Sequence, residues 1–151
     1  MFWLNDNSVN PIHPRYGHRC YTFNIEGKII YDPSRGKKTD AHWCIIEIDK
    51  EITRYYRAQF KKRFGYELYA PAFDAHVSVL KGLYTLEMEN NWKHLDGKTV
   101  EVWYDSNLYW NEKHVWLNTY CKEFFELREY YNIPDFNTKD FGHLTVGKIR
   151  P

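Results

Sequence analysis

The feature that most constrains this chain is a four-residue pattern that occurs twice. The first copy is His76-Val77-Ser78-Val79 and the second is His143-Leu144-Thr145-Val146. Each copy ends a predicted run of strand, helix and short link. A lysine follows each histidine at the same offset, at Lys81 and Lys148. Self-similarity at this scale indicates an internal duplication.

Strand geometry divides each copy of the pattern between two faces. Side chains alternate along a strand, so His76 and Ser78 share one face and the two valines lie on the other. The same alternation pairs His143 with Thr145. We expect the aliphatic face to pack on the helix of its own half. If a pseudo-two-fold axis relates the halves, both polar faces meet in one cleft.

The remaining patterns predict an α+β domain of 151 residues. The segment 1–40 is predicted to be an irregular arm followed by a hairpin about Glu26-Gly27, and the two lobes span roughly 41–82 and 97–150. Hydrophobic periodicity, caps and alternation predict the following strands and helices. The strands are 41–48, 73–80, 99–104, 115–120 and 141–149, and the helices are 49–64 (buried face Ile52, Tyr56, Phe60 and Phe64) and 122–131 (Phe124, Leu127 and Tyr131).

Charge and cysteine content exclude several functions. The net charge is +1, from 21 basic and 20 acidic residues, which argues against binding to long nucleic-acid duplexes. Cys20, Cys44 and Cys121 are odd in number and are not spaced as a metal knuckle, so we expect free thiols in a reducing compartment. Neither a signal peptide nor an apolar run of about 20 residues is visible. We therefore expect a cytoplasmic monomer that does not enter membranes.

Two imidazoles in one cleft suit phosphodiester chemistry. One can remove a proton from the attacking oxygen while the other protonates the leaving oxygen, since the reference pKa of histidine is about 6.5. Ser78 and Thr145 would donate hydrogen bonds to the nonbridging phosphate oxygens. We expect neither a metal nor a cofactor. Because the two halves are nearly symmetric, the sequence leaves open which of His76 and His143 is the acid.

The paired motif resembles the signature of the 2H phosphoesterase superfamily, which has the LigT-like fold and two His-x-Thr/Ser motifs. The resemblance covers about residues 41–150. His76 and Ser78 match the first motif, where Ser replaces the commoner Thr, and His143 and Thr145 match the second. It implies a two-lobed fold with a central cleft and metal-free attack on phosphodiesters of the 2′,3′ or 2′,5′ type.

The size and the abundance of Tyr, Trp, Asn and Lys are similar to those of short bacteriophage 2H proteins, including anti-CBASS phosphodiesterases. This implies a cyclic oligonucleotide substrate and action in a host cytosol. Two alternatives within the superfamily are an RNA-end 2′,3′-cyclic phosphodiesterase and a 2′,5′-oligoadenylate phosphodiesterase. A third is a non-catalytic nucleotide- or RNA-binding module that uses its aromatic rings for stacking.

Secondary candidates surround the motifs. Lys81 and Lys148 could offset phosphate charge at the rim of the cleft, or they could be solvated lysines at strand ends. Several aromatic residues could stack on a base, although core packing is the commoner fate of such rings. These residues are Tyr16 in the N-terminal arm and Trp103, Tyr104, Tyr109 and Trp110 between the motifs.

Overall fold

The computed structural model describes residues 21–33, 42–82, 86–133 and 142–150. It contains six strands and three helices, which confirms the α+β class. The strands are β1 (Phe23–Tyr31), β2 (Trp43–Ile48), β3 (His76–Lys81), β4 (Thr99–Trp110), β5 (His114–Tyr120) and β6 (Gly142–Lys148), and the helices are α1 (Lys50–Phe64), α2 (Leu86–Asn90) and α3 (Lys122–Tyr130).

The six strands form one closed antiparallel barrel in the order β1-β2-β3-β6-β5-β4. Along the chain, the run β1-β2-α1-β3 is followed by the equivalent run β4-β5-α3-β6, with the short α2 between them. The two runs meet where β3 pairs with β6 and where β1 pairs with β4. The motif strands of the two halves are therefore neighbours in the barrel.

Helix α1 begins and ends where its caps predict. The carboxylate of Asp49 accepts a hydrogen bond from the Glu51 backbone N–H, and Gly65 ends the helix in the left-handed conformation at φ 68°. Ile52, Tyr56 and Phe60 are buried, as predicted. The prediction was wrong for Phe64, whose 46% exposure reflects its position in the last turn.

The predicted hairpin about Glu26-Gly27 is wrong, because β1 runs unbroken through both residues. Gly27 pairs with Ile48 on β2 and with Val100 on β4. A Cβ atom at Gly27 would lie 2.5 Å from the Ile46 side chain. The glycine therefore permits close packing inside a strand and does not make a turn.

The core lies on the face of the sheet that carries the aliphatic motif residues. The buried hydrophobic residues form one core cluster, which includes Val77, Val79, Leu144 and Val146. Helix α1 packs against β6, and α3 packs against β3. The expected packing of each strand on the helix of its own half was therefore wrong, because each helix crosses to the motif strand of the other half.

Cys44 and Cys121 are buried free thiols, as predicted, and burial raises the pKa of each to about 12. Cys20 lies outside the described residues. Within the four described ranges, no helix has both the length and the apolar character needed to cross a membrane.

Candidate active site

The register of the motif strands brings their polar side chains together. Val77 on β3 pairs with Leu144 on β6 in an antiparallel arrangement. Continued by one residue in each direction, this register places His76 opposite Thr145 and Ser78 opposite His143. All of these side chains leave the face opposite the core. The histidines thus occupy one diagonal of a four-cornered site and the hydroxyls occupy the other, and a diagonal of this kind separates residues by roughly 7–8 Å, with their Cβ atoms somewhat closer.

His76 is held by its own backbone loop and by two aromatic rings. Its Nδ1 lies 2.7 Å from the carbonyl oxygen of Phe73. Because a carbonyl oxygen only accepts hydrogen bonds, Nδ1 carries the proton and Nε2 is the atom that can exchange a proton with a ligand. The rings of Trp43 and Phe73 meet the imidazole edge-on, with centroids at 5.3 and 5.2 Å.

Trp43 also orients the hydroxyl of Ser78 in the first motif. Its indole Nε1 donates a hydrogen bond to Ser78 Oγ over 3.1 Å. Since Oγ then accepts from the indole, its own hydrogen is directed elsewhere and can be donated to a phosphate oxygen. Nζ of Lys81 lies 4.6 Å from the centroid of the same indole, which fixes one cation at this wall.

The second motif lies in more open surroundings. His143 is exposed, and its ring stacks on Trp116 with a centroid distance of 5.2 Å and an interplanar angle of 27°. Trp116 is oriented by a 3.1 Å hydrogen bond from its Nε1 to Asn118 Oδ1. Tyr109 stacks on the far side of this pair, with its centroid 6.4 Å from that of Trp116.

A cavity of about 450 Å³ opens over the first motif and reaches Thr145 of the second motif, whereas His143 is not among its lining residues. Among the described residues, its lining contains four side chains that can carry positive charge and no carboxylate. This composition favours an anionic ligand. The lining residues are Pro33, Trp43, Pro71, Ala72, Phe73, His76, Ser78, Lys81, His114, Thr145 and Lys148.

The secondary candidates fall into different places. Lys81 and Lys148 line the cavity, and Tyr109 adjoins Trp116. Trp103 is 7% exposed and donates its Nε1–H to Glu101, while Trp110 packs against Phe60 and Phe64 on α1. Neither tryptophan reaches the cavity. Tyr104 is fully buried in the core, and Tyr16 lies outside the described residues.

Sequence reasoning missed Trp43, Phe73 and His114. Alternation along β2 places Trp43 on the polar face. Its contact with Ser78 could not be predicted from the sequence, because it depends on the pairing of β2 with β3, in which Trp43 lies opposite Lys81. Phe73 precedes β3 in an irregular segment. His114 has no partner in the sequence, but it pairs across β5 and β6 with Lys148.

Within the described ranges, no three His, Cys, Asp or Glu side chains lie together as a metal site would require. Comparisons of the chain with protein-family models, curated proteins and solved structures returned no match.

Proposed function

We propose that the protein is a metal-independent phosphodiesterase in which His76 and His143 act as the acid–base pair. The observation that carries this proposal is the four-cornered site created by the Val77–Leu144 register. Imidazoles on one diagonal suit the attacking and leaving oxygens, which lie on opposite sides of phosphorus. Hydroxyls on the other diagonal suit the nonbridging oxygens.

The reaction follows from these positions. One imidazole takes the proton of a ribose 2′-OH as its oxygen attacks phosphorus, and the other gives its proton to the departing 5′-oxygen. The P–O5′ bond breaks, leaving a 2′,3′-cyclic phosphate and a free 5′-OH. Each proton transfer contributes roughly 10²–10⁴-fold to the rate. Ser78 and Thr145 donate hydrogen bonds that stabilise the charge that builds on the phosphoryl oxygens.

For the substrate, we propose a cyclic oligonucleotide signal in the cytoplasm, as in bacteriophage counter-defence. The cavity of about 450 Å³ has room for one nucleotide unit, and Lys81 and Lys148 supply positive charge around it. In fold terms, we propose that the runs β1-β2-α1-β3 and β4-β5-α3-β6 correspond to the two lobes of a LigT-like 2H fold, with the first lobe extended beyond the predicted 41–82 to include β1, and that the cavity lies in their central cleft.

A substrate panel tests the proposal. The full chain is incubated with EDTA and a cyclic dinucleotide, a cyclic trinucleotide, 2′,5′-oligoadenylate, or RNA that ends in a 2′,3′-cyclic phosphate. We expect turnover of a cyclic oligonucleotide in the presence of the chelator. Turnover confined to the linear oligonucleotides would reassign both the substrate and the attacking nucleophile, which is a ribose 3′-OH for a 2′,5′-linkage and water for a 2′,3′-cyclic phosphate. Absence of turnover on every member would contradict the proposed activity.

The binding module remains the rival function, and the histidines separate the two. A module that only binds nucleotides retains its affinity and has no activity to lose when His76 or His143 becomes alanine. The phosphodiesterase loses turnover in either variant while it still binds the nucleotide. Equilibrium binding of a cyclic dinucleotide, measured beside turnover, distinguishes these outcomes.

A further inference from the structure

The junction between the two halves has little backbone pairing at the site itself. Every other neighbouring pair of strands in the barrel has five or six registered residue pairs. Among the described residues, β3 and β6 have one, Val77 with Leu144. The hydrogen bonds of a sheet ladder therefore do not by themselves fix the distance between the two histidine strands.

An arginine from α3 contacts β3 just beyond this pair. Nη1 of Arg128 donates a 2.7 Å hydrogen bond to the carbonyl oxygen of Val79. Arg128 is 8% exposed, and its guanidinium lies 5.5 Å from the Phe124 ring centroid. Burying a guanidinium is costly unless its donors are paired, and the hydrogen bond to Val79 offsets part of that cost.

An arginine from α1 makes the equivalent contact with β6. Nη1 of Arg57 donates a 2.8 Å hydrogen bond to the carbonyl oxygen of Val146. Its orientation is set by Asp74, whose two carboxylate oxygens accept from Nη1 and Nη2 at 3.2 and 3.1 Å. Thr53 donates a third hydrogen bond to Asp74, over 2.7 Å. A paired guanidinium of this kind has a fixed direction.

The two contacts are reciprocal. Val79 follows Ser78 and Val146 follows Thr145, so each arginine holds the carbonyl directly after a motif hydroxyl. Each arginine also belongs to the half opposite the strand that it holds. Together they supply hydrogen bonds at the position where the β3–β6 ladder has stopped.

We infer that Arg57 and Arg128 are positioning residues that hold the two histidine strands at the separation which the reaction needs. The inference rests on the proposed function. Neither arginine lines the cavity, so both act through the strands. A displacement of about 1 Å at a reacting group lowers a rate by roughly 10²-fold, so a small shift of β3 against β6 has a large effect on turnover.

The test compares Arg57→Lys and Arg128→Lys with Arg54→Lys in the full chain. Lysine keeps the positive charge but lacks the planar guanidinium, which presents several hydrogen-bond donors in a fixed geometry. Arg54 is on α1 as well, but its side chain is 57% exposed and pairs with Glu51. Two measurements are made: kcat and KM on the cyclic oligonucleotide that the panel identifies, and the imidazole NMR signals of His76 and His143 well below the melting temperature.

We expect kcat to fall about 10- to 100-fold in Arg57→Lys and Arg128→Lys, with KM within about threefold of the parent value. Arg57→Lys displaces mainly the His143 signals and Arg128→Lys mainly the His76 signals, whereas Arg54→Lys changes neither. Lower melting temperatures with unchanged imidazole signals and unchanged kcat would overturn the inference.

The NMR measurement separates this inference from the proposed function. If the parent protein turns over no phosphodiester, the imidazole signals still report whether the arginines position the histidines. If Arg128→Lys does not fold, Arg57→Lys decides the question, since the Arg57 side chain is 15% exposed and the lysine that replaces it keeps a charge that can pair with Asp74.

Discussion

The two motif histidines occupy unlike surroundings on equivalent strands. His76 is half-buried, its Nδ1 is tied to the Phe73 carbonyl, and Trp43 covers its edge. His143 is exposed and has Trp116 stacked on its face. The equivalent element order of the two halves thus sets where the imidazoles lie, whereas contacts from neighbouring strands determine how firmly each imidazole is held. We therefore predict that both imidazoles take part in catalysis but contribute unequally to ligand binding. The reason is that the cavity is lined mainly by residues of the first motif and its surroundings.

The largest effect is expected from the histidines themselves. His76→Ala and His143→Ala should each lower kcat by roughly 10²–10⁴-fold, because each removes one proton transfer. His94→Ala is the control, since His94 stacks on Tyr130 and is not among the residues that line the cavity. Steady-state turnover on the panel substrate gives the comparison. Near-parental kcat in either motif variant would show that the two imidazoles do not work together.

A smaller loss is expected from the hydroxyls. Ser78→Ala and Thr145→Val each remove a donor to the phosphoryl oxygens, for which we expect a loss of about 10²-fold in kcat.

The first motif adds a second test through Trp43. Trp43→Phe removes the Nε1–H that orients Ser78, so it should lower kcat when Ser78 is present and have little effect in the Ser78→Ala background. Rates for the four proteins of this double-mutant cycle measure the coupling. Equal effects of Trp43→Phe in both backgrounds would mean that the indole acts on turnover independently of the hydroxyl.

Sequence reasoning reached the two motif strands, both flanking helices and the α+β class, because each of these depends on local periodicity, caps and alternation. It did not reach contacts made by register. Glycine is typical of turns, which is why a hairpin was predicted at Gly27, yet this residue lies inside β1, where β2 and β4 both pair with it. Trp43 meets Ser78 only because β2 pairs with β3. The crossing of each helix to the opposite half likewise depends on how the barrel closes.

The residues directly before the histidines should differ in how much their substitution changes the stability of the fold. A Cβ atom at Gly142 would lie 2.6 Å from Val77 Cγ1 and 2.8 Å from Thr119 Oγ1, so Gly142→Ala should destabilise the fold by about 1–3 kcal/mol. Ala75, its counterpart, has a φ of 55°, which glycine adopts without strain.

Ala75→Gly should therefore stay within about 1 kcal/mol of the parent stability, because relief of strain offsets the greater entropy of the unfolded chain. Chemical denaturation of both variants measures the difference. Equal destabilisation by the two changes would mean that the backbone at Ala75 is not strained.

The smallest effect concerns Asp74 and depends on pH. Burial alone would raise its pKa, but hydrogen bonds from Arg57 and Thr53 outweigh burial and hold the pKa below its ordinary value of 3.8. The carboxylate therefore contributes stability that is complete above that ordinary value and is lost as the pH falls through the folded-state pKa. Asp74→Asn should be less stable than the parent at neutral pH.

This gap should narrow as the pH falls below about 3.8, because the amide that replaces the carboxylate does not titrate in this range. Denaturation curves of the parent and Asp74→Asn between neutral and acidic pH measure it. A constant gap across that range would show that the Arg57–Asp74 pair does not depend on the charge of the carboxylate.

The most direct test of the account follows both imidazoles while one anion binds. Inorganic phosphate is titrated into the full chain, and the ring signals of His76 and His143 are recorded by NMR with Thr145→Val as a comparison. We predict that both histidines respond with one shared Kd and one phosphate per chain, and that Thr145→Val weakens both responses together. Two unrelated Kd values, or a response from one histidine alone, would contradict a single phosphate site built from the two halves.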